Sequence, residues 1–370
     1  MRRVSYPARS GWQSTVESQG LIYHTPNGRA YWDESAYYEF SSAEIDKLEA
    51  ATNELQQMFL AVGQRIIDRN LFRTLHIPEH AERLIRATWE QEPPAIYGRM
   101  DLAFDGTNIK LLEYNADTPT ALLEAAVVQW YWLQDSFPDR DQFNSLHERL
   151  IAKWKELRDY LPGVLVFAHL DDAEDWTTIT YLQDTALQAG FQTANMLIKD
   201  IGVKDGKFVD IHDEPLRSCF KLYPWEWMVH EEYGALLESN DTLWVEPIWK
   251  MMWSNKGILP LLWEQYPHHR LLLECYFDSP RQMQYYAKKP LLSREGNNIA
   301  LITPGGTIAR DGDYGEEGFV YQELAPIKNF NGNYPVIGSW LIDGESAGMG
   351  IRESETMITD NLSRFVPHIF

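Results

Sequence analysis

Two strand-like runs, residues 97–101 and 111–115, place polar side chains at alternating positions. The side chains concerned are Arg99, Asp101, Glu113 and Asn115. Because alternate residues of a strand share one face, each run presents its two polar groups on the same side. An Asp-Gly pair at residues 105–106 is typical of a tight turn between two strands. The sequence therefore predicts a β-hairpin on which four polar groups converge.

The chemistry of these side chains indicates a metal and anion site. Asp101, Glu113 and Asn115 carry the hard oxygen donors that hold Mg²⁺, usually with substrate phosphates completing its shell. Arg99 lies beside them and can bind an anion. The alternative is the polar edge of an ordinary hairpin with solvated carboxylates. The motif by itself does not decide between the two.

Composition excludes several classes of protein. The chain has 370 residues, 44% of them hydrophobic and 13% aromatic, which suffices for a sizeable folded core. Its formal charge is 33 − 54 = −21, which opposes binding to nucleic acid or to an anionic membrane surface. Residues 250–294 differ, with seven basic and three acidic residues, or 7 − 3 = +4. We therefore expect an anionic ligand near that segment.

The cysteine content and the lack of long apolar runs indicate the cellular compartment. Cys219 and Cys275 support neither a disulfide framework nor a cysteine-rich zinc site. No segment approaches the uncharged run of about 18 residues that a membrane helix needs. We expect a cytoplasmic protein with small-molecule partners and without nucleic-acid or membrane contacts. The sequence does not indicate an oligomeric state.

Helical periodicity appears three times in the N-terminal part. Ser41 and the residues after it predict a helix start, and apolar spacing continues it over 41–67. A second helix is predicted over 78–89. A third can begin at Pro119. Its inward-facing residues are expected to be Leu122, Leu123, Ala126, Val127 and Trp130, with Glu124 and Gln129 pointing away.

Residues 163–198 have the pattern of a βαβ unit. Apolar runs at 163–169 and 191–198 flank a helical stretch at 175–189, which predicts parallel strands in a small Rossmann-like layer. An acidic cluster at 171–175 follows the first strand, at the edge where open α/β sheets place their ligands. A solvated helix cap explains most of these acids. One or two of them could face a cationic substrate.

The C-terminal third supplies candidate groups for binding a nucleotide. Lys289 ends a predicted strand, and the polar loop after it, with Gly296, can fold over phosphates, although an ordinary hairpin turn is the competing interpretation. A strand at 319–324 could offer backbone groups to the edge of an adenine. Arg352 lies on a strand flanked by glycines, where its guanidinium suits phosphoryl oxygens or forms a surface ion pair.

These elements follow one another in a recognisable order: Arg-x-Asp, Glu-x-Asn-x-Asp-Thr-Pro-Thr, Ser-Asn-Lys, Lys-Lys-Pro with Ser-Arg-Glu-Gly-x-Asn, Tyr-Gln-Glu-Leu and Gly-x-Gly-Ile-Arg-Glu. In this order the chain resembles the glutathionylspermidine synthase family from Tyr23 to Phe370. The resemblance implies an α+β or α/β chain with a circularly permuted ATP-grasp fold and a small Rossmann-like layer. It implies one synthetase domain over 1–370, with N-terminal helices and the hairpin in 1–160, the Rossmann-like layer in 161–240 and the ATP-grasp lobes in 241–370.

The same resemblance implies roles for individual residues. Asp101, Glu113 and Asn115 correspond to ligands of two Mg²⁺ ions. The implied ATP contacts are Arg99, Lys256, Lys289, Ser293, Gly296, Asn297, Gln322, Glu323, Leu324 and Arg352, where Ser293 to Asn297 form a lid loop and the backbone of 322–324 meets adenine. Arg99 and Arg352 would act catalytically on the carboxylate and the moving phosphoryl group. The implied substrate contacts are Thr118 and Thr120 for the acid and Glu174 and Asp175 for the amine.

The implied reaction is ATP- and Mg²⁺-dependent ligation of an acid to an amine through an acyl phosphate. The resemblance indicates a glutathione-like or peptide-like acid and a polyamine-like amine. An ATPase or phosphotransferase is the first alternative, and a non-catalytic nucleotide-binding module on the same fold is the second.

Overall fold

The computed structural model describes residues 1–92, 95–360 and 363–370. Its α-helices are α1 (Trp12–Ser18), α2 (Ser42–Asp68), α3 (Glu79–Gln91), α4 (Gln129–Ser136), α5 (Leu146–Glu156), α6 (Ala173–Gln188), α7 (Trp225–Met228), α8 (Lys250–Ser254) and α9 (Ile258–Gln265). Its strands are β1 (Arg2–Ser5), β2 (Ala36–Glu39), β3 (Tyr97–Phe104), β4 (Ile109–Asn115), β5 (Leu165–His169), β6 (Thr193–Leu197), β7 (Gly202–Lys204), β8 (Lys207–Val209), β9 (Ser218–Leu222), β10 (Leu243–Val245), β11 (Cys275–Tyr276), β12 (Tyr286–Pro290), β13 (Ala300–Thr303), β14 (Gly306–Ala309), β15 (Phe319–Glu323), β16 (Tyr334–Ile342), β17 (Glu345–Ser354), β18 (Arg364–Phe365) and β19 (His368–Ile369).

The predicted hairpin is confirmed and forms part of a five-stranded sheet. β3 and β4 pair antiparallel, with Arg99 opposite Asn115 and Asp101 opposite Glu113. β3 also pairs antiparallel with β16, which gives the strand order β18-β17-β16-β3-β4. β3 is buried along its whole length. The sheet thus joins a hairpin from the first third of the chain to strands near its C-terminus.

Helix α2 covers one face of this sheet. Its start is held by a capping box in which Ser41 and Glu44 exchange side-chain and backbone hydrogen bonds, as the sequence predicts. The helix packs against β16 and β17, and Thr52 Oγ1 lies 2.7 Å from Ser339 Oγ of β16. Helix α2 is therefore set by a local signal at its N-terminus and held by contacts with strands from the other end of the chain.

A second five-stranded sheet, antiparallel throughout, has the order β11-β15-β12-β13-β14. β12 and β15 lie side by side, with Lys289 opposite Val320 and Ala287 opposite Gln322. Side chains of this sheet and of the β3–β4 hairpin line one cavity. The cavity between the two sheets is where the nucleotide-binding candidates meet the hairpin.

The predicted βαβ unit is also confirmed, as β5, α6 and β6. It belongs to a parallel sheet with the order β10-β9-β5-β6. A buried ion pair connects this sheet to the segment that follows the hairpin, because Lys221 Nζ of β9 lies 2.7 Å from Asp117 Oδ1 and both side chains are fully buried. Among the described residues, no helix combines the length and apolarity needed to cross a membrane.

The expected orientation of the helix after Pro119 is wrong in part. Glu124 and Gln129 are buried, whereas Trp130 is 37% exposed. The reason is a π-helical turn over Glu124–Val128. A π-helical turn contains one residue more than an α-helical turn, and this rotates the side chains that follow it around the helix axis. The residues on the buried face therefore no longer recur at the α-helical spacing.

Candidate active site

Asp101 lies at the centre of the hairpin side of the cavity. Arg99 Nε donates to its Oδ1 over 2.9 Å, and Arg352 Nη2 donates to its Oδ2 over 2.8 Å. Both side chains of the Arg99–Asp101 pair are almost completely buried. Arg99 Nη1 also donates to the Thr120 carbonyl over 2.6 Å. The structure thus brings both predicted arginines onto one carboxylate.

Glu113 faces two lysines. Its Oε2 lies 3.2 Å from Lys256 Nζ, which also donates to the Ser293 carbonyl over 2.6 Å. Burial by itself would raise the pKa of the Glu113 carboxyl, but the charges of Lys256 and Lys289 reverse that effect and lower it from 4.5 to about 2. Glu113 is therefore a carboxylate held ionised by cations.

Lys289 is the second of these cations. Its Nζ donates to Gln322 Oε1 over 2.8 Å and to the Leu112 carbonyl over 3.1 Å. Burial lowers the pKa of the Lys289 ammonium, Glu113 opposes this effect and Lys256 adds to it. Two ammonium groups within one buried cluster create the positive environment that a polyphosphate requires.

The cavity is lined by a group of charged side chains that interact with one another and by a separate cluster of apolar side chains. It encloses about 690 Å³ of empty space, including solvent at its open mouth. The charged group consists of Asp101, Glu113, Lys256 and Lys289. The apolar side chains include Ala287, Ile299, Leu301, Leu324, Met357 and Ile358. Such a lining matches a nucleotide, whose base is flat and largely apolar and whose phosphates are charged.

The predicted lid loop is placed beside this cavity, although not every residue of it faces inward. Gly296 lines the cavity and has φ +69°, and a Cβ there would lie 2.8 Å from Ile358 Cγ2 and from the Thr359 carbonyl. Ser293 is buried with its Oγ toward the Pro290 carbonyl. Neither Ser293 nor Asn297 is among the residues lining the cavity. The loop thus reaches the cavity through Glu295 and Gly296.

The expected adenine contacts stay a prediction, and the structure shows where these residues lie and what two of their backbone N–H groups bond. Gln322, Glu323 and Leu324 all line the cavity. However, the Glu323 backbone N–H donates to the Glu274 carbonyl over 2.7 Å, and the Leu324 N–H donates to the Tyr285 carbonyl over 3.1 Å. These two donors are therefore already used within the sheet. The Gln322 side chain accepts a hydrogen bond from Lys289 and donates one to the Leu111 carbonyl.

The predicted substrate residues lie next to the arginines. Thr120, whose carbonyl accepts from Arg99, also lies near Glu174, where its side chain favours the ionised carboxylate. Thr118 Oγ1 accepts a hydrogen bond of 2.7 Å from Arg294 Nη1. Asp175 accepts from the Leu170 N–H over 3.2 Å. Asp172, by contrast, is the N-cap of α6, so the cap interpretation holds for that acid.

Glu174 and Asp175 have strongly perturbed acidities. Burial raises the pKa of Glu174 from 4.5 to about 7, and the nearby charges of Glu124 and Glu295 add to this. Burial also raises the pKa of Asp175 from 3.8 to about 7, with further contributions from Asp172 and Glu174. Two neighbouring carboxyl groups that titrate near neutral pH can exchange protons with a substrate.

Sequence reasoning missed two features of the site. Arg294 Nη2 donates to Glu226 Oε1 over 2.6 Å and its Nη1 donates to Thr118 Oγ1, so Arg294 connects the predicted lid loop with the predicted substrate threonine. The one indication in the sequence that Arg294 belongs to the site is its position in the basic segment 250–294. The second feature is Glu124, which accepts from Tyr23 Oη over 2.6 Å and Tyr31 Oη over 2.7 Å. No local pattern indicates that contact.

The basic segment 250–294 contributes less to the site than its charge suggests. Lys256, Lys289 and Arg294 converge there. Lys250 is buried elsewhere, where its Nζ lies 2.5 Å from Glu246 Oε2 and donates to the Tyr97 carbonyl over 2.6 Å. Arg270 pairs with Glu54 on the surface. The net charge of the segment thus overstates its charge at the cavity.

The residues present fit a divalent cation. Asn115 Nδ2 lies 3.4 Å from Asp101 Oδ2 and 3.5 Å from Glu113 Oε1, so the three side chains are adjacent. A half-turn of the Asn115 amide exchanges its nitrogen and oxygen, which gives three hard oxygen donors. No group of three or more His, Cys, Asp and Glu suited to a metal occurs within the described ranges. The fit therefore rests on two carboxylates and one amide.

Comparison with known proteins gives extensive matches. The family described as glutathionylspermidine synthase preATP-grasp matches residues 3–370. A Haemophilus influenzae protein, provisionally named an acid–amine ligase, is 40% identical over 392 residues, covering 100% of both chains. The bifunctional glutathionylspermidine synthetase/amidase of Escherichia coli K12 is 27% identical, and the match covers 97% of this chain but 63% of that protein. Trypanothione synthetase of Crithidia fasciculata is 26% identical, with coverages of 87% and 55%.

A solved structure shares the fold. The apo form of a glutathione synthetase-like effector from Globodera pallida superposes with a TM-score of 0.62 at 9% sequence identity, covering 96% of this chain and 94% of that one. At this identity the likeness concerns the fold alone. Together with the family match, it confirms the predicted mixed α/β architecture of the ATP-grasp type.

Proposed function

The chain belongs to the glutathionylspermidine synthase family, and from that premise we propose that it is an ATP- and Mg²⁺-dependent ligase that joins an acid to an amine through an acyl phosphate. One observation carries the proposal. The hairpin carboxylates Asp101 and Glu113 meet Lys256 and Lys289 in a cavity that is also lined by a cluster of apolar side chains. A nucleotide triphosphate with a divalent cation has the matching distribution of charge and apolar surface.

ATP is proposed to bind along this cavity. Its base lies among the apolar side chains, and its phosphates contact Lys256 and Lys289. The side chains of Asp101, Glu113 and Asn115 would hold Mg²⁺, one or two ions, which would neutralise the phosphate charge and polarise the phosphoryl oxygens. The lid loop with Gly296 closes over the phosphates and excludes water.

The first chemical step joins acid and phosphate. An oxygen of the substrate carboxylate attacks the γ-phosphorus, the bond from that phosphorus to the β,γ-bridging oxygen breaks, and ADP leaves with the electron pair. Arg99 and Arg352 steady the carboxylate and the moving phosphoryl group, because guanidinium groups match the geometry of both. Arg294 and Thr118, which bond each other across the site, orient the rest of the acid.

The second step forms the amide. The amine nitrogen attacks the acyl carbon, the carbon–oxygen bond to phosphate breaks, and inorganic phosphate leaves. The nitrogen must lose a proton, and Glu174 and Asp175 are the proposed acceptors because the pKa of each lies at about 7. A glutathione-like or peptide-like acid and a polyamine-like amine are the substrates that the relatives' names suggest for this chain.

The test is a matrix of acids and amines. Purified enzyme with ATP and Mg²⁺ is incubated with thiol peptides, amino acids and aliphatic amines in all pairs. ADP, phosphate and the mass of the condensed amide are measured. We expect ADP release that requires both an acid and an amine and equals the amide formed. ADP release that ignores both additions would identify an ATPase, and transfer of phosphate to a stable acceptor would identify a phosphotransferase.

A further inference from the structure

Glu124 is a buried carboxylate to which the proposed mechanism gives no role. It is 1% exposed and begins the π-helical turn over Glu124–Val128. Tyr23 Oη and Tyr31 Oη both donate to its Oε1, over 2.6 Å and 2.7 Å. A buried carboxylate is costly unless hydrogen bonds or a cation compensate its lost hydration, and π-helical turns are frequent at functional sites. These features indicate a role beyond packing.

The two tyrosines lie in one N-terminal stretch that is anchored beside the strand of Arg352. The Phe365 N–H donates to the Tyr31 carbonyl over 2.6 Å. Phe365 is in turn the residue opposite Arg352 in the pairing of β17 with β18. The rings of Tyr23 and Tyr31 are 5.0 Å apart. The phenol groups that bond Glu124 are therefore fixed next to the strand that carries a proposed catalytic arginine.

Glu124 and Glu174 approach the same part of the site from different elements. Glu124 belongs to the π-helical turn, and Glu174 belongs to the first turn of α6. Thr120, four residues before Glu124, lies near Glu174, and its carbonyl accepts from Arg99. The charge of Glu124 acts on the Glu174 carboxyl, and the charge of Glu174 acts on both tyrosines.

The two carboxyl groups share their surroundings and therefore their titration. Burial raises the pKa of Glu124, and the hydrogen bonds from the two phenols oppose this effect. Burial also raises the pKa of Glu174 to about 7, and the charge of Glu124 adds to the rise. Because ionising one carboxyl disfavours ionising the other, such a pair does not titrate independently. The other groups that act on one carboxyl or the other are Tyr23, Tyr31, Arg99, Thr120, Asp175, Glu295 and Arg352.

We infer that Glu124 is a positioning residue of the proposed reaction, which shares one proton with Glu174 and so sets when Glu174 can accept a proton from the amine. This inference rests on the proposed function, because it concerns the proton acceptor of that reaction. Hydrogen bonds from Tyr23 and Tyr31 favour the ionised form of Glu124, so the shared proton stays on Glu174. When Glu174 has lost this proton to solvent, the N–H bond of the amine breaks, its electron pair stays on nitrogen, and an O–H bond forms on Glu174.

The pH dependence of turnover tests the inference. The kcat/KM for the amine is measured against pH, with the best acid and amine from the matrix, for the wild type, Glu124→Gln and Tyr31→Phe. We expect the midpoint of the acidic limb, about pH 7 in the wild type, to fall by about one pH unit in Glu124→Gln, because a neighbouring like charge is removed. Tyr31→Phe should shift it in the same direction, because Glu124 then keeps the shared proton. An unchanged midpoint in folded Glu124→Gln would overturn the inference.

Tyr38→Phe is the matched control. Tyr38 is buried, as Tyr31 is, and its Oη donates to Glu353 over 2.5 Å. The variant therefore removes a similar phenol–carboxylate hydrogen bond away from the Glu124–Glu174 pair, and the midpoint should keep its wild-type value. A shift equal to that of Tyr31→Phe would show that the loss of any buried phenol alters the profile, and the assignment to Glu124 would fail.

Stability measurements follow the same pair of carboxyls without turnover. Melting temperatures of the wild type, Glu124→Gln, Glu174→Gln and the double variant are compared at pH 4.5 and above pH 7. Each raised pKa makes the fold lose stability as the pH rises, and the repulsion between the two carboxylates enlarges this loss. We expect the double variant to remove less of the loss than the sum of the single variants, because each single variant already removes that repulsion. Additive effects would contradict a shared proton.

The outcomes separate the two proposals. If no acid and amine together produce ADP, the proposed function fails, and the role of Glu124 in it fails as well, even where the melting temperatures show coupled carboxyls. If amine-dependent turnover occurs but the midpoint is unchanged and the stability effects are additive, the ligase proposal survives and the role of Glu124 is overturned. A lowered midpoint in Glu124→Gln and Tyr31→Phe, with Tyr38→Phe unchanged, supports the inference.

Discussion

Arg352 donates a hydrogen bond of 2.8 Å to Asp101, although the two residues are 251 positions apart in the chain. Arg99 bonds the other oxygen of the same carboxylate over 2.9 Å. The Asp101 carboxylate is thus paired with one arginine from its own strand and with another from β17, near the C-terminus. The site is complete only when the sheet order β17-β16-β3 has formed. Folding and assembly of the site are therefore the same event.

Replacing Asp101 tests its proposed part in catalysis. Asp101→Asn removes a hard anionic donor while keeping the size of the side chain, and we expect amine-dependent ADP release to fall by at least about 100-fold, since metal-assisted charge neutralisation is worth several kcal/mol. Initial rates at saturating ATP, acid and amine measure the effect. The melting temperature serves as the control for folding. A folded variant with turnover near that of the wild type would contradict the role proposed for Asp101.

The Glu113–Lys256 pair predicts a specific dependence of stability on pH. Because the pKa of Glu113 in the fold is about 2 rather than 4.5, ionised Glu113 stabilises the fold fully above pH 4.5, and this contribution is lost as the pH falls towards 2. We expect Lys256→Met to lower the free energy of unfolding by roughly 1–3 kcal/mol at neutral pH and by less at acid pH. Urea unfolding at several pH values measures this. An equal loss at all pH values would refute the coupling.

The raised pKa of Glu174 predicts that stability depends on pH in the opposite direction. Its pKa in the fold is raised from 4.5 to about 7, so the folded state binds the proton more tightly, and stability decreases as the pH rises through this range. Glu174→Gln removes the buried charge, and we expect it to stabilise the protein by roughly 1–2 kcal/mol above pH 7 and hardly at pH 4.5. Thermal unfolding of the variant and the wild type, at pH 4.5 and above pH 7, measures this difference in stability. The variant should also lose the rise of kcat/KM for the amine near neutral pH.

The buried pair Lys221–Asp117 predicts a purely structural effect. Both side chains are fully buried, and Asp117 also accepts from the Trp225 N–H over 2.9 Å. Lys221→Met leaves an uncompensated carboxylate in the interior, so we expect the free energy of unfolding to fall by about 3–5 kcal/mol.

The control for this prediction is another lysine paired with an aspartate. Lys204 lies 2.8 Å from Asp213, but the side chains are 53% and 63% exposed. Lys204→Met should therefore change stability far less than Lys221→Met does. Urea unfolding of both variants gives the comparison, and equal losses would contradict the importance of burial.

Much of the local structure could be predicted from short-range patterns. Alternation along 97–101 and 111–115 predicts the hairpin, and the Ser41–Glu44 capping box predicts the start of α2. The contact of Arg294 with Glu226, 68 residues away, has no such signal. Nor have the contacts of buried Glu124 with Tyr23 and Tyr31, which lie 101 and 93 positions away. These contacts depend on packing between distant segments.

The amino-acid sequence by itself determined which chemical groups the protein has and which of them share a strand face, because side-chain direction follows from backbone geometry over a few residues. The tertiary structure decided their charges and partners. Asp101 is paired with two arginines, Lys250 is paired with Glu246, and Glu174 becomes a weaker acid than a free glutamate. The physical reason is that desolvation and Coulomb interactions depend on distances in space, and the fold brings together residues that lie far apart along the chain.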